Sequence, residues 1–155
     1  AFASGTGEYV QLFEPTASQL EKEGVGHVIA SFGKESGTVP YTVFMAKQSY
    51  LDKHKGAIQK FTNAIYKAQQ WVASHSAKET AEEIAPYFQT LDPAIMESSV
   101  KRYLEQGSFA TDPILDEAEW NNLQAIMESA GELKARADYS KLVNTTFAKT
   151  AKEGR

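Results

Sequence analysis

The chain has 155 residues, no cysteine and a formal net charge of −4. This length suits one well-buried core, or one lobe and part of a second. The 16 basic and 20 acidic residues argue against a nucleic-acid partner, because phosphate binding needs a local surplus of Lys and Arg. The lack of cysteine excludes disulfides, iron–sulfur clusters and thiol catalysis. No run reaches the ~20 apolar residues of a membrane span. The start at Ala1, without methionine or an export signal, leads us to expect a piece of a longer protein.

Three apolar, β-rich runs precede the helical part of the chain. They predict strands over Tyr9–Phe13, His27–Phe32 and Val39–Ala46. Pro15 favours the first position of a helix, which we expect to end at Gly24. The order strand, helix, strand predicts a short βαβ unit with parallel pairing, and therefore an α/β fold.

Beyond the third run the apolar spacing is that of helices. In the longest predicted helix, Lys55–His75, the residues Ile58, Phe61 and Ile65 recur at three- and four-residue steps. Asp92 precedes Pro93, which is the arrangement of an N-cap followed by a first helical proline. Further helices are predicted over residues 78–88, 93–106, 116–131 and 140–152. We therefore expect a predominantly helical C-terminal region.

Glu14 is the carboxylate that the pattern singles out, because it ends the first predicted strand directly before Pro15. One interpretation is structural: the carboxylate accepts hydrogen bonds from the free N–H groups at the start of the helix. The other is ligand recognition, since a carboxylate in a cleft accepts two hydrogen bonds from an amidine-like or aminopyrimidine edge and repels a sulfonate or nitrate. The residues alone leave both open.

The chain shows no pattern of a catalytic or metal centre. Its three histidines, His27, His54 and His75, have no metal-ligand spacing, and the HEXXH and GxSxG motifs are absent. Acidic pairs such as Glu82 and Glu83 fit the solvated face of a helix. We therefore predict no catalytic residue, no metal and no cofactor.

Four runs in the same order carry a resemblance to a known family. They are Gly7–Ser18, Val39–Phe44, Phe61–Gln69 and Ala130–Leu133. With this order the chain resembles the second half of substrate-binding proteins of ABC importers, of the nitrate, sulfonate, taurine and thiamine-precursor type. The resemblance implies part of a two-lobe periplasmic-binding-protein-like fold, in which the ligand is held between two α/β lobes and closure signals the transporter.

The resemblance also divides the chain and places a binding site. It implies that residues 1–39 are the end of lobe two, residues 40–46 are the crossing strand and hinge, and residues 47–155 are a helical region that packs on lobe one. The ligand-binding residues that it implies are Phe13, Glu14, Pro15 and Thr16 on one side, and Ser36, Gly37 and Tyr41 on the hinge side.

The function implied is a non-enzymatic solute-binding component of an ABC importer that captures a small polar molecule, such as an aminopyrimidine or thiamine precursor. The alternatives are a sulfonate-, taurine- or nitrate-binding protein of the same family, a pyrimidine-synthase-like enzyme of the same fold, and a purely structural helical module. The expected partners are the small-molecule ligand and the permease. We also expect self-association, or pairing with the missing N-terminal half, and an extracytoplasmic location, either periplasmic or as a cell-surface lipoprotein.

Overall fold

The structure is a computed structural model that describes residues 1–154. The described residues form nine α-helices and two 3₁₀ turns. The helices are α1 (Thr16–Lys22), α2 (Phe32–Glu35), α3 (Gln48–Lys53), α4 (Lys55–Ser74), α5 (Ala77–Ile84), α6 (Pro93–Glu105), α7 (Glu117–Ser129), α8 (Tyr139–Leu142) and α9 (Thr146–Lys152); the 3₁₀ turns are Phe2–Ser4 and Ala85–Tyr87. Within residues 1–154, no helix is long and apolar enough to cross a membrane.

The predicted α/β fold with a βαβ unit is wrong, because residues 1–154 contain no strand. The three β-rich runs are non-helical except at Phe32, which begins α2, and most of their side chains face solvent: Ile29 is 74% exposed and Met45 is 89% exposed. The N–H of Val28 donates to the carboxylate of Glu21 at 2.8 Å, where a sheet would have supplied a carbonyl. A β-type side-chain pattern shows that a run suits a sheet, but a strand forms only when a neighbouring backbone supplies the hydrogen bonds.

The chain divides into two compact units. Unit 1 consists of Ala1–Phe32 and Ser74–Phe109, and unit 2 consists of Gly33–Ala73 and the chain from Ala110 onward. This division follows packing, and the predicted ranges 1–39, 40–46 and 47–155 remain a prediction about the lobes of the family.

Unit 1 is organised by the packing of α5 on α6. Helix α5 starts with a capping box, in which Ser76 accepts from the N–H of Glu79 and the Glu79 carboxylate accepts from the N–H of Ser76. Helix α6 is capped by Asp92, whose carboxylate accepts hydrogen bonds from two N–H groups of the first turn. Between the helices lies a small core of buried Ala81, Met96 and Val100. The cap at Asp92 confirms the helix start predicted there, whereas the helix predicted over 78–88 is α5 followed by the 3₁₀ turn Ala85–Tyr87.

Unit 2 is held largely by polar contacts between its helices and loops. The side-chain amide of Gln59 in α4 donates to the carbonyl of Phe147 in α9 at 2.9 Å. Lys152 at the end of α9 pairs with Asp112 at 2.7 Å. The predicted helix over 140–152 is two short helices, α8 and α9. No large side chain in the described residues is fully buried, so the packing leaves much apolar surface in contact with solvent.

Candidate functional site

Glu14, the residue singled out by the sequence, lies in unit 1 with its side chain only 3% exposed. One carboxylate oxygen, Oε1, is 2.5 Å from Nη1 of Arg102 in α6. The other, Oε2, accepts from the N–H of Ser18 in α1 at 3.0 Å and lies 3.3 Å from the hydroxyl of Ser99 in α6, whose single proton has a shorter contact with the carbonyl of Ile95, at 2.7 Å. The backbone N–H of Glu14 donates to the hydroxyl of Tyr103 at 3.2 Å. Glu14 therefore ties the start of α1 to one face of α6.

Arg102 joins Glu14 to a second carboxylate. Its Nη2 donates to Glu21 in α1, so one guanidinium bridges two acids on the same neighbouring segment. The side chains of Arg102 and Glu21 are 28% and 30% exposed, so the bridge lies at the edge of the unit, with Glu14 as its buried end. We call Glu14, Glu21 and Arg102 the acidic cluster, because two carboxylates and one guanidinium leave an excess of one negative charge.

Hydrogen bonds favour the charged forms of Glu21 and Arg102. The pKa of Glu21 is lowered, first by the hydrogen bond from the Val28 N–H and then by the hydrogen bond from Arg102. Burial by itself would lower the pKa of Arg102, but the hydrogen bond to Glu21 and the charge of Glu14 raise it above its ordinary value. Arg102 and Glu21 are therefore charged at neutral pH, and the pair is maintained because each group favours the ionised form of the other.

The structure supports one of the two interpretations of Glu14 and does not test the other. The structural one is confirmed as a contact, since the N–H of Ser18 in the first turn of α1 donates to the carboxylate. Ligand recognition by Glu14 stays a prediction. In the described structure the Glu14 carboxylate already accepts hydrogen bonds from Arg102 and from the N–H of Ser18, so a ligand that reaches it has to replace one of these donors.

The other residues predicted on the same side as Glu14 lie at the start of α1. Pro15 is the N-cap and Thr16 is the first helical residue, and both are exposed. Phe13 is 57% exposed, and its carbonyl accepts from the N–H of Ala17 at 3.2 Å. The structure thus brings these four predicted residues together in unit 1.

The residues predicted on the hinge side, Ser36, Gly37 and Tyr41, lie in unit 2. Asn122 in α7 donates from Nδ2 to the carbonyls of Ser36 and Thr38, both at 3.0 Å, and so holds the turn on either side of Gly37. Gly37 has φ of +69°, and a Cβ at this position would lie 3.3 Å from the same Nδ2. Tyr41 is 73% exposed. The turn is therefore fixed by α7, a contact that the sequence did not reveal.

The sequence analysis missed Arg102, Ser99 and Asn122. Ser99 and Arg102 share one face of α6 with buried Ile95, because they follow it at successive steps of four and three. An arginine in register with a buried residue indicates a partner of opposite charge, and this pattern could have found the cluster. Nothing in the sequence connects Asn122 with residues 36–38.

Unit 2 has a shallow groove of about 560 Å³ between the start of α3 and residues 140–146. It is lined by Ala46, Gln48, Leu51 and that segment. The groove contains none of the seven predicted site residues. The acidic cluster, in contrast, contains Glu14, which is a predicted site residue with defined hydrogen-bond partners.

Comparison with known proteins indicates the class to which this protein belongs. A Bacillus subtilis (strain 168) protein named "Putative binding protein YtlA" is 58% identical over 148 residues, which is 96% of this chain and 44% of the relative. A model of the NMT1-like family matches residues 1–88. No solved structure matches the chain. The matches support a class of substrate-binding proteins. The chain belongs to the NMT1-like family, and it spans less than half the length of the curated relative it matches.

Proposed function

We propose that this protein is the solute-binding component of an ABC importer, or a piece of that component. It captures a small polar molecule on the outer side of the membrane and presents it to the permease, without catalysing a reaction. The observation that carries the proposal is the 58% identity with a relative named as a binding protein, together with the NMT1-like match over residues 1–88. The rest of the binding cleft comes from a second copy or from the remainder of the family's length.

We further propose that the ligand is a donor-bearing heterocycle, such as an aminopyrimidine or a thiamine precursor. The excess negative charge of the acidic cluster supports this class, because it attracts cations and N–H donors and repels oxyanions. The amidine-like edge of an aminopyrimidine offers N–H donors of the same kind as the Arg102 guanidinium now bonded to Glu14. Such a ligand can therefore replace the hydrogen bond from Arg102 to Glu14, and it also replaces the positive charge when the heterocycle is protonated.

Two other functions make different predictions for the same site. A sulfonate-, taurine- or nitrate-binding protein needs a net positive or donor-rich site, so it would gain affinity when Glu14 is neutralised. A pyrimidine-synthase-like enzyme would turn a ligand over, and the bound molecule would be recovered chemically changed. Identity with a relative named as a binding protein favours binding over both turnover and a purely structural role.

Isothermal titration tests this proposal. The protein should bind an aminopyrimidine about tenfold or more tighter than taurine, an alkanesulfonate or nitrate, because a hydrogen bond to a charged group contributes about 1.5–3 kcal/mol. Glu14→Gln should remove that preference. Glu8→Gln is the matched control, since Glu8 is an exposed carboxylate six residues earlier, and it should bind as the unsubstituted protein does.

Three results of the titration would refute parts of the proposal. Tighter binding of taurine or nitrate, improved further by Glu14→Gln, would establish the oxyanion class. Recovery of a chemically altered ligand would establish an enzyme. Equal affinity of the Glu14→Gln and Glu8→Gln variants for the aminopyrimidine would remove Glu14 from the site. Far-ultraviolet circular dichroism of each variant shows that the helices are intact.

A further inference from the structure

The two hydrogen-bond donors of the Glu14 carboxylate differ in how easily a ligand can displace them. The side chain of Glu14 is only 3% exposed, whereas that of Arg102 is 28% exposed. The N–H of Ser18 belongs to the first turn of α1, so displacing it would disrupt the start of that helix. The Arg102 side chain can turn away without a change in the backbone. Arg102 is therefore the donor that a ligand replaces.

Displacement of Arg102 removes a positive charge from Glu14 as well as a hydrogen bond. Nη1 of Arg102 lies 2.5 Å from Oε1 of Glu14, and Nη2 of the same guanidinium donates to Glu21. Glu21 can therefore keep the guanidinium after it leaves Glu14. The charge of Glu14 then remains inside unit 1 without its counter-ion, and an uncompensated buried charge is strongly unfavourable. A stable complex thus requires that one positive charge arrives with the ligand.

We propose that a ligand binds at Glu14 together with one unit of positive charge, either as a permanent cation or with one proton taken up from solution. A heterocycle that is neutral in solution takes up this proton when it binds, and the proton lies in the hydrogen bond between the ring and the Glu14 carboxylate. The inference rests on the ligand class proposed above, and it adds the charge state in which that ligand is bound.

Proton uptake gives the affinity a defined dependence on pH. The complex holds one more proton than the free protein and the free heterocycle together, so raising the pH opposes binding. Above the pH at which the free heterocycle is protonated, the affinity should fall about tenfold for each unit of pH, as long as the complex keeps its proton. A permanent cation brings its own charge, so its affinity should not change over the same range.

Other titratable groups of unit 1 lie near Glu14 and bear on this pH dependence. They include Glu21 of α1, Arg102 and Tyr103 of α6, and His27 in the segment after α1. Glu21 and Arg102 are charged at neutral pH, and Tyr103 accepts from the N–H of Glu14 with its hydroxyl oxygen. The charge of His27 acts on Glu21, and histidine is the side-chain type that ordinarily titrates near neutral pH. His27→Gln is therefore the control that separates a proton on His27 from a proton at Glu14.

Isothermal titration in two buffers of different ionisation enthalpy measures the number of protons taken up. The probes are 2-aminopyrimidine and benzamidine, because both present an amidine-like edge and benzamidine is a cation throughout the neutral range. 2-Aminopyrimidine should bind with uptake of about one proton, and its affinity should fall about tenfold from about pH 7 to about pH 8. Benzamidine should bind without uptake and with equal affinity at both pH values. His27→Gln should leave these results unchanged, whereas Glu14→Gln should abolish the uptake, since no buried carboxylate remains.

Three outcomes would overturn the inference. 2-Aminopyrimidine could bind without proton uptake and equally well at both pH values, which would leave the proposed ligand class intact. The uptake could persist in Glu14→Gln or disappear in His27→Gln, which would place the proton elsewhere. Binding of neither probe would refute the proposed ligand class together with this inference. The comparison of the two probes needs no variant, so it decides the question even if Glu14→Gln does not fold.

Discussion

Replacing Arg102 with alanine is expected to lower the free energy of unfolding of unit 1 by about 3 kcal/mol. The Glu14 side chain is only 3% exposed, and Arg102 supplies the charge that compensates its carboxylate. Removing the guanidinium leaves a buried carboxylate without a counter-ion, which costs more than the ion pair itself contributes. Urea unfolding followed by circular dichroism, with hydrogen exchange of the α6 amides, measures the loss where it arises.

Lys22→Ala is the matched control for that experiment. Lys22 also connects α1 to the start of α6, through an ion pair with Asp92 at 2.8 Å, but the two side chains are 53% and 44% exposed. Solvent screens an exposed pair, so its loss should change stability far less than the loss of Arg102. Equal destabilisation by Arg102→Ala and Lys22→Ala would contradict the buried ion pair. In the double variant Glu14→Gln with Arg102→Ala, part of the lost stability should return, because no buried charge remains.

Replacing Met96 with alanine should cost about 2–5 kcal/mol, the range for truncating a buried methionine. Met96 is 3% exposed. Together with Ala81 and Val100 it forms the buried apolar cluster between α5 and α6. Because the core of unit 1 is small, a cavity there has few neighbours that can move to fill it. Urea unfolding followed by circular dichroism measures the loss, and hydrogen exchange of the α5 and α6 amides shows where it arises.

Met45 offers a control of the same residue type. It is 89% exposed, so Met45→Ala should change the stability of the chain by less than about 0.5 kcal/mol. Similar losses for the two alanine variants would show that the core is not where the structure places it.

The helices could be predicted from the sequence because their start signals are local. Asp92 before Pro93 and Asp116 at the start of the helix predicted over 116–131 specify helix starts without any information from the rest of the chain, and the structure has caps at both. The break at Val143 was not predicted, and the single helix predicted over residues 140–152 is two helices, α8 and α9, in the structure. Capped helix starts therefore follow from short-range chemistry, whereas the short helices α2 and α3 were not predicted.

The strands and the partner of Glu14 could not be predicted, because both depend on distant residues. A β-rich run such as His27–Phe32 becomes a strand only if another segment pairs with it, and no segment in residues 1–154 does. The residue that neutralises Glu14 lies 88 positions away in α6. The sequence shows that Glu14 needs a donor, but only the packing of α1 on α6 shows that the donor is Arg102.

The most direct measurement of the central claim follows the Arg102 guanidinium by heteronuclear NMR, with its signals assigned by means of an Arg102→Lys variant. The claim is that this is a solute-binding protein whose acidic cluster selects a donor-bearing ligand. Titration with an aminopyrimidine should shift the Arg102 signals to saturation, because the ligand replaces the guanidinium at Glu14, whereas taurine should leave them in place. If only taurine shifted these signals, or if neither molecule did, the result would contradict the claim.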